Sequence, residues 1–520
     1  MKKMKKIMAL MLAAIMMMAM SVTAFAAEGA TGTHTLTVNV KSTTPAQDLN
    51  GQTINLYKLF DVTESGTTGS KNYAYTVNTT SGYKDALVSV LGSSITASST
   101  DEQFAAAVLA LKDEDGTKIQ KFANDFTAYA LKNSLATTAT SGKIAESKTS
   151  YEFTSLDAGY YLVYVTGGKE IQSSLVTVDT TTNTVNLKTE APKIDKTADK
   201  ETVNIGDVVT YTVKGSIPDT TGYNQYQYII HDELSQGLDF VNDSTGTTLE
   251  TDASTVNVKV AFTDNSLTAG GTTPTTATLD TANNRKMSLD LSAWVRDNQT
   301  NKGKEFTVTY YAKVNKDAVV TEKNNAQLEY GNNPSDTTTT TPSEAKTPTY
   351  PLDILKIKKD STEKLAGAKF SLYTSETDAK NGTNPIKVTG NNGNYVVDSA
   401  STTTEFESVE NIEGKGYNLR VNGLAEGTYY LVETKAPDGF NKLTAPVVIK
   451  ITKSTDADVN NWTISKDGND ETDKIIDIAN STGSLLPSTG GRGAIAFAVI
   501  AALLVFGVAV SFIRDKRKEA

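Results

Sequence analysis

Short runs in which β-branched or aromatic residues alternate with polar ones recur along this 520-residue chain. Leu36-Thr37-Val38-Asn39-Val40, Val256-Asn257-Val258-Lys259-Val260 and Phe306-Thr307-Val308-Thr309-Tyr310 are three of them. A period of two sends one set of side chains to a core and the other to solvent, which is the pattern of half-buried strands. Gly and Asn turn signals separate the runs, so the expectation is a mainly β chain of stacked sandwiches. One region breaks the period. Thr100-Asp101-Glu102-Gln103 has the spacing of a capping box, and Ile119, Phe122, Phe126 and Tyr129 share one helical face. A charged interval from Asp113 to Gly116 divides two helical pieces.

The predicted fold is therefore tandem immunoglobulin-like β-sandwich domains, the first with a helical insertion. The length calls for more than one core. Glu190-Ala191-Pro192-Lys193 and the Thr/Pro stretch from Asn333-Pro334 to Pro348 read as linkers. They predict domains at 27–190, 191–346 and 347–480, followed by a stalk at 481–493. With no cysteine, a disulfide framework, a thiol nucleophile and a cysteine zinc site are all excluded. Only His34 and His231 could supply imidazole, so no metal and no cofactor is expected. A net charge of −10 argues against nucleic acid as a partner. No Gly-x-Ser-x-Gly elbow is present, and the chain is not expected to be an enzyme.

Both ends carry addresses. Lys2, Lys3, Lys5 and Lys6 precede an apolar run from Ile7 to about Met20, and Ala24-Phe25-Ala26 offers a cleavage site after Ala26. Residues 1–26 thus read as a secretory signal peptide. Leu486-Pro487-Ser488-Thr489-Gly490 is followed by an uncharged run at 494–513, long enough to span a bilayer. A basic tail at 514–520 closes the chain. This order resembles the cell-wall sorting signal of Gram-positive surface proteins. The resemblance implies that a sortase cuts between Thr489 and Gly490 and joins the Thr489 carboxyl to an amine.

The last predicted domain holds Lys358-Lys359-Asp360, then Tyr429-Tyr430-Leu431-Val432-Glu433-Thr434-Lys435-Ala436-Pro437-Asp438-Gly439-Phe440, and ends on Asp477-Ile478-Ala479-Asn480. It resembles the collagen-adhesin B-type domain of Gram-positive surface proteins, with Phe440 in place of a final tyrosine. The resemblance implies a covalent Lys358–Asn480 isopeptide bond promoted by Glu433. Lys356 lies on the same strand face as Lys358 and is the rival amine. The chemistry suits these residue types. Burial lowers an amine's pKa and frees it as a nucleophile, while a buried acid can stay protonated and polarise the amide. Fixed neighbours make the amidation intramolecular.

The middle domain opens on Pro192-Lys193-Ile194-Asp195-Lys196, continues through Tyr228-Ile229-Ile230-His231-Asp232 and ends on Asn324-Asn325-Ala326-Gln327-Leu328-Glu329-Tyr330. It is similar to the fimbrial isopeptide-forming domain of major pilins. The resemblance implies Lys196 as the amine and Asp232 as the acid. Asn324 shares a face with Ala326, Leu328 and Tyr330 and is preferred over Asn325 as the amide. His231 reads as a solvent-facing or turn residue.

Together these features imply a major pilin. Sortase would polymerise it through Thr489 onto a lysine of the neighbouring subunit, and a housekeeping sortase would attach the fibre to peptidoglycan at the cell surface. A surface fibre of this kind implies host surface ligands as further partners. The acceptor motif Val-x-Val-Tyr-Pro-Lys of such pilins is replaced by Val185-Asn186-Leu187-Lys188-Thr189-Glu190-Ala191-Pro192-Lys193. Lys188 is the first candidate acceptor and Lys193 the second. A monomeric wall-anchored adhesin is the alternative reading.

Overall fold

The computed structural model describes residues 32–483, except 44–46, 68–69, 115, 167, 170–171, 180–181, 221–224, 332–333 and 336, together with 499–508 and 510. Ala26 and the rest of the signal segment, the Leu486–Gly490 motif and the basic tail lie outside the described residues. Of the expected span at 494–513, residues 499–508 are helical. Among the described residues no helix is long and apolar enough to cross a membrane.

The chain is mainly β, arranged as sheets packed in pairs. In the first unit a three-stranded sheet runs Ser150–Leu156, His34–Asn39, Thr182–Asn186. A five-stranded sheet is built around Thr53–Thr67 and Gly159–Val165. The Gly159–Val165 strand is buried at almost every position, without alternation. The reason is that both its faces are covered. Tyr161, Val163 and Val165 pack toward the small sheet, while Leu162 and Tyr164 pack under the helices. A strand covered on both sides reads as a continuous apolar run. The helical insertion has three helices, Tyr83–Leu91, Asp101–Leu109 and Thr117–Lys132. The capping box is formed: Gln103 N donates to Thr100 Oγ1 at 3.4 Å, and Thr100 N donates to Gln103 Oε1 at 2.9 Å. Phe122 and Phe126 are buried, and half-buried Ile119 and Tyr129 flank them.

The second unit pairs a five-stranded sheet (Leu238–Val241, Glu305–Val314, Val208–Ser216, Asp195–Ala198, with Lys259–Phe262 on Glu305–Val314) with a seven-stranded one. The larger sheet is centred on Gln227–Leu234 and Lys323–Gly331. Alternation is strict here: inward Phe306, Val308, Tyr310 and Ala312 are buried on one strand, as are Asn324, Ala326, Leu328 and Tyr330 on another. The Thr/Pro stretch expected to be a linker is partly sheet. Thr338–Thr339 and Ser343–Lys346 pair antiparallel with Lys323–Gly331. An edge strand needs only one apolar side, so Ala345 suffices to hold this polar segment against the core.

The third unit packs the sheet Val388–Asn391, Asn394–Val397, Leu419–Leu424, Tyr350–Lys358, Ile475–Asn480 against a six-stranded sheet centred on Lys369–Tyr373 and Gly427–Lys435. Its first and last strands are parallel neighbours, with Lys356 opposite Ile478 and Lys358 opposite Asn480. The units touch. Ile205 N donates to Gly423 O at 3.0 Å. Gly423 has φ +97°, and a Cβ there would meet Ile205 at 2.5 Å, so glycine is required on both counts. Gln52 Nε2 of the first unit donates to Tyr330 Oη of the second at 2.7 Å.

Candidate functional sites: two buried lysine–acid–asparagine clusters

Three lysines in the described chain are buried: Lys58, Lys196 and Lys356. Burial of a lysine demands a partner, and the partners separate the three.

In the third unit the strand Tyr350–Lys358 sends Tyr350, Leu352, Ile354 and Lys356 inward. Lys356 is fully buried, with its Nζ 3.4 Å from Glu433 Oε1 and donating to Ile478 O at 3.4 Å. Phe370, the cross-strand neighbour of Glu433, lies beneath the amine, 6.0 Å from it to the ring centre. Asn480 Nδ2 donates to Glu433 Oε2 at 2.9 Å and to Asn441 O at 2.6 Å. Leu443 N also donates to Glu433 Oε2, at 2.7 Å, which fixes the carboxyl. The strand's register is held from its other side by Asn418, whose Oδ1 accepts from Lys356 N at 2.7 Å.

This geometry places Lys356, and not the expected Lys358, beside Glu433. Lys358 has a side chain 44% exposed and pairs with Glu363 at 3.6 Å. Alternation does put both lysines on the inner side, and Lys358 is even the register partner of Asn480. The core ends before Lys358, however, so its inner side opens to solvent. Lys356, one repeat earlier, meets Glu433.

In the second unit the four groups come from both sheets. Lys196 on Asp195–Ala198 and Tyr310 on Glu305–Val314 belong to the smaller sheet; Asp232 and Asn324 belong to the larger. Lys196 Nζ donates to Asp232 Oδ2 and to Tyr310 Oη. Tyr310 Oη donates to Asp232 Oδ2, and Asn324 Nδ2 donates to Tyr310 Oη at 3.3 Å. The amine sits 5.0 Å from the Tyr211 ring centre and 4.9 Å from that of Tyr310. All members are buried, Asn324 completely. Asn325 alternates to the outer side and is half-buried, so the structure brings Asn324, and not Asn325, to the cluster. His231 is on the outer side as well, between Ser288 Oγ at 2.9 Å and Glu329 Oε2 at 2.7 Å.

Electrostatics follow from burial. Desolvation pushes Lys196 down to about 8, against the opposing pull of Asp232. It likewise pushes Lys356 down to about 8, against Glu433. Asp232 is raised by the same desolvation, partly offset by Lys196. Among the described residues, Asp232 Oδ1, Asn324 Oδ1 and Asn480 Oδ1 are buried oxygens that accept no hydrogen bond. Such orphans are costly. A proton held on the neighbouring carboxyl would supply the donor that an amide oxygen lacks. Each cluster therefore assembles a desolvated amine, an acid and an amide carbonyl in one dry space.

Among the described residues the first unit has no comparable set around Lys58. Its Nζ meets Asp61 Oδ1 at 2.7 Å and Asp157 Oδ2 at 3.3 Å, and both carboxylates are nearly half-exposed. Of the two candidate acceptor lysines, Lys188 is exposed and donates to Gln120 Oε1 at 2.5 Å, and Lys193 is exposed. Among the described residues no group of three or more His, Cys, Asp or Glu is placed to hold a metal ion. Tyr310 is the site residue that no motif in the sequence marks. Its signal is the inward register of Phe306, Val308 and Tyr310, which brings a hydroxyl into an otherwise apolar row.

No curated protein matches the sequence. Among solved structures, the chain is similar to the T6 backbone pilin of serotype M6 Streptococcus pyogenes, at 16% identity and TM-score 0.41, covering 87% of this chain and 99% of that one. It is also similar to the major pilin SpaA of Corynebacterium diphtheriae, at 15% identity and TM-score 0.42, covering 86% and 100%. The group B streptococcus pilus 2b backbone protein aligns at 22% identity and TM-score 0.37, covering 56% and 99%. Residues 351–464, which include Lys356 and Glu433, match the SpaA family model, a prealbumin-like fold domain.

Proposed function

We propose that this chain is the backbone subunit of a covalent surface pilus, stabilised by two self-made isopeptide bonds, Lys196–Asn324 and Lys356–Asn480. The observation that carries the reading is the pair of buried clusters. Each holds an amine, an acid and an orphaned amide oxygen. The motif resemblances single out all of these positions except the third unit's amine, where Lys356 stands in place of Lys358. Asp232 and Glu433 are the promoting acids. The neutral amine attacks the amide carbon, the acid's proton polarises the carbonyl, and ammonia leaves. The reaction is self-directed and occurs once per bond, so the protein is a structural subunit and a substrate.

In this reading the three units are the domains 27–190, 191–346 and 347–480. Export follows cleavage after Ala26. A pilin-specific sortase takes Thr489 of Leu486-Pro487-Ser488-Thr489-Gly490 and passes it to Lys188, or to Lys193, of the next subunit. A housekeeping sortase joins the base of the fibre to peptidoglycan. The exposure of both lysines suits an acceptor role.

Intact mass of the secreted fragment tests the crosslinks: it falls short by one ammonia per bond. A mass short by two ammonias is expected, and full mass refutes both bonds. A denaturing gel of cell-wall extract tests the fibre. A ladder of covalent multimers is expected, and a single monomer band would instead favour the wall-anchored adhesin.

A further inference from the structure

Tyr310 has no counterpart in the third unit, where Lys356 faces Phe370 and the carboxyl of Glu433 spans the gap between amine and amide. Asp232 is one methylene shorter than Glu433, and in its cluster the amide nitrogen donates to the tyrosine hydroxyl. That hydroxyl touches every group that must exchange a proton. It accepts from Lys196 Nζ and from Asn324 Nδ2, and it donates to Asp232. It is fully buried, so no water need take part.

We propose that Tyr310 is a catalytic residue of the second unit's crosslink, relaying a proton from Lys196 Nζ to the departing Asn324 Nδ2. The inference rests on the isopeptide reading above. The balance is complete within the cluster. A bond forms between Lys196 Nζ and Asn324 Cγ while Asp232 polarises the carbonyl. The adduct's Nδ2 becomes pyramidal and gains a lone pair. The hydroxyl turns from Asp232 and gives its proton to Nδ2, and Oη takes one from Nζ. The Cγ–Nδ2 bond breaks, ammonia departs, and Tyr310 ends as the phenol it began as. A hydroxyl is suited to this because it both donates and accepts and rotates freely about its C–O bond. Burial and the adjacent Asp232 hold the Tyr310 phenol well above its ordinary value, so it stays protonated and able to donate.

The test is Tyr310→Phe in the full chain, made by cell-free translation and followed in time. Mass spectrometry of proteolytic fragments scores each crosslink separately. Closure of Lys196–Asn324 should slow by about a hundredfold or more, the usual loss on removing a proton-transfer group. Closure of Lys356–Asn480 in the same molecules should keep its rate. Closure of both at the wild-type rate overturns the relay. Tyr228→Phe, which removes a buried hydroxyl elsewhere in the same core, should close at the normal rate. If it slows equally, the effect is packing and the relay is wrong. Amide exchange across Glu305–Val314 reports the fold of the variant, and loss of protection there together with loss of closure assigns Tyr310 a structural role. If the wild-type chain itself loses no ammonia, the isopeptide reading falls, and the relay with it.

Discussion

In the third unit the amine and the amide sit on neighbouring parallel strands of one sheet, whereas in the second they come from opposite sheets. The Lys356 and Asn480 strands are already registered over six residue pairs, from Asp353–Ile475 to Lys358–Asn480. A bond there reinforces a ladder that hydrogen bonds already hold. Lys196 lies on a strand of four residues at the edge of its sheet. A bond from it to Asn324 joins one sheet to the other through the core. Burial of a lysine is thus achieved in two ways: beneath a glutamate long enough to reach both partners, or between two tyrosine rings with an aspartate and a phenol.

The largest effects should come from removing the acids. Asp232→Ala prevents closure and leaves Lys196 buried without a carboxylate. Losing a crosslink that closes a loop of roughly 125–130 residues removes about 5 kcal/mol in the chain-entropy model. An uncompensated buried amine adds about 3–5 kcal/mol. Glu433→Ala should cost less, because Lys356 keeps a backbone carbonyl acceptor, Ile478 O, whereas Asp232→Ala leaves Lys196 only the Tyr310 hydroxyl, itself stripped of its acceptor. Denaturant titration of the two variants measures the difference, and equal midpoints would erase the distinction between the clusters.

Next in size is the choice of lysine. Lys356→Ala should restore one ammonia to the mass and lower stability by about 5 kcal/mol through the lost loop closure. Lys358→Ala removes only an exposed ion pair, worth up to about 1 kcal/mol, and should leave the mass unchanged. An ammonia regained in Lys358→Ala, and not in Lys356→Ala, would return the role to Lys358.

These two lysines also show how much of the site could be read from the sequence. Alternation fixes which side of a strand a residue faces, and that was enough to favour Asn324 over Asn325. It says nothing of where along the strand the core stops, and Lys356 and Lys358 differ only in that. The capping box at Thr100 and the Phe122–Phe126 face were legible because local spacing determines them. The two-sided burial of the Gly159–Val165 strand is not legible in the sequence, since its second buried face exists only because distant helices cover it. The same holds for Ser343–Lys346, a polar segment made into a strand by the edge it joins. Tyr310 was legible as a strand residue but not as a site residue, because its role depends on the facing sheet.

A pH series separates a lysine that has reacted from one that has not. In Asn480→Ala the amine of Lys356 stays free and buried, at about 8, against about 10.4 in an unfolded chain. Between those values the folded state binds fewer protons than the unfolded one, so stability should rise with pH across the window. The full rise is up to about 3 kcal/mol. Where the proposed bond to Asn480 has formed, the nitrogen is an amide and does not titrate, so this rise should be missing in the wild-type chain. Urea midpoints of both proteins from pH 8 to 10.5 give the comparison, and parallel curves would mean that Lys356 is unreacted in both.

The smallest effect is local and bears most directly on the two geometries. When Asn324→Ala removes the bond between sheets, the strand Asp195–Ala198 retains its four-pair ladder to Val208–Ser216 and the bond from Lys196 N to Ser343 Oγ at 2.8 Å. Short edge strands open at little free-energy cost, so its amides should exchange far faster than in the wild-type chain. When Asn480→Ala removes the bond within one sheet, Tyr350–Lys358 is still paired on both sides, to Leu419–Leu424 and Ile475–Asn480. Its amides should keep most of their protection. Hydrogen exchange read by mass spectrometry on the two variants decides it. Equal loss of protection at both strands would mean that the crosslinks act only on the unfolded chain, through loop closure, and that their placement within or between sheets is immaterial to the folded state.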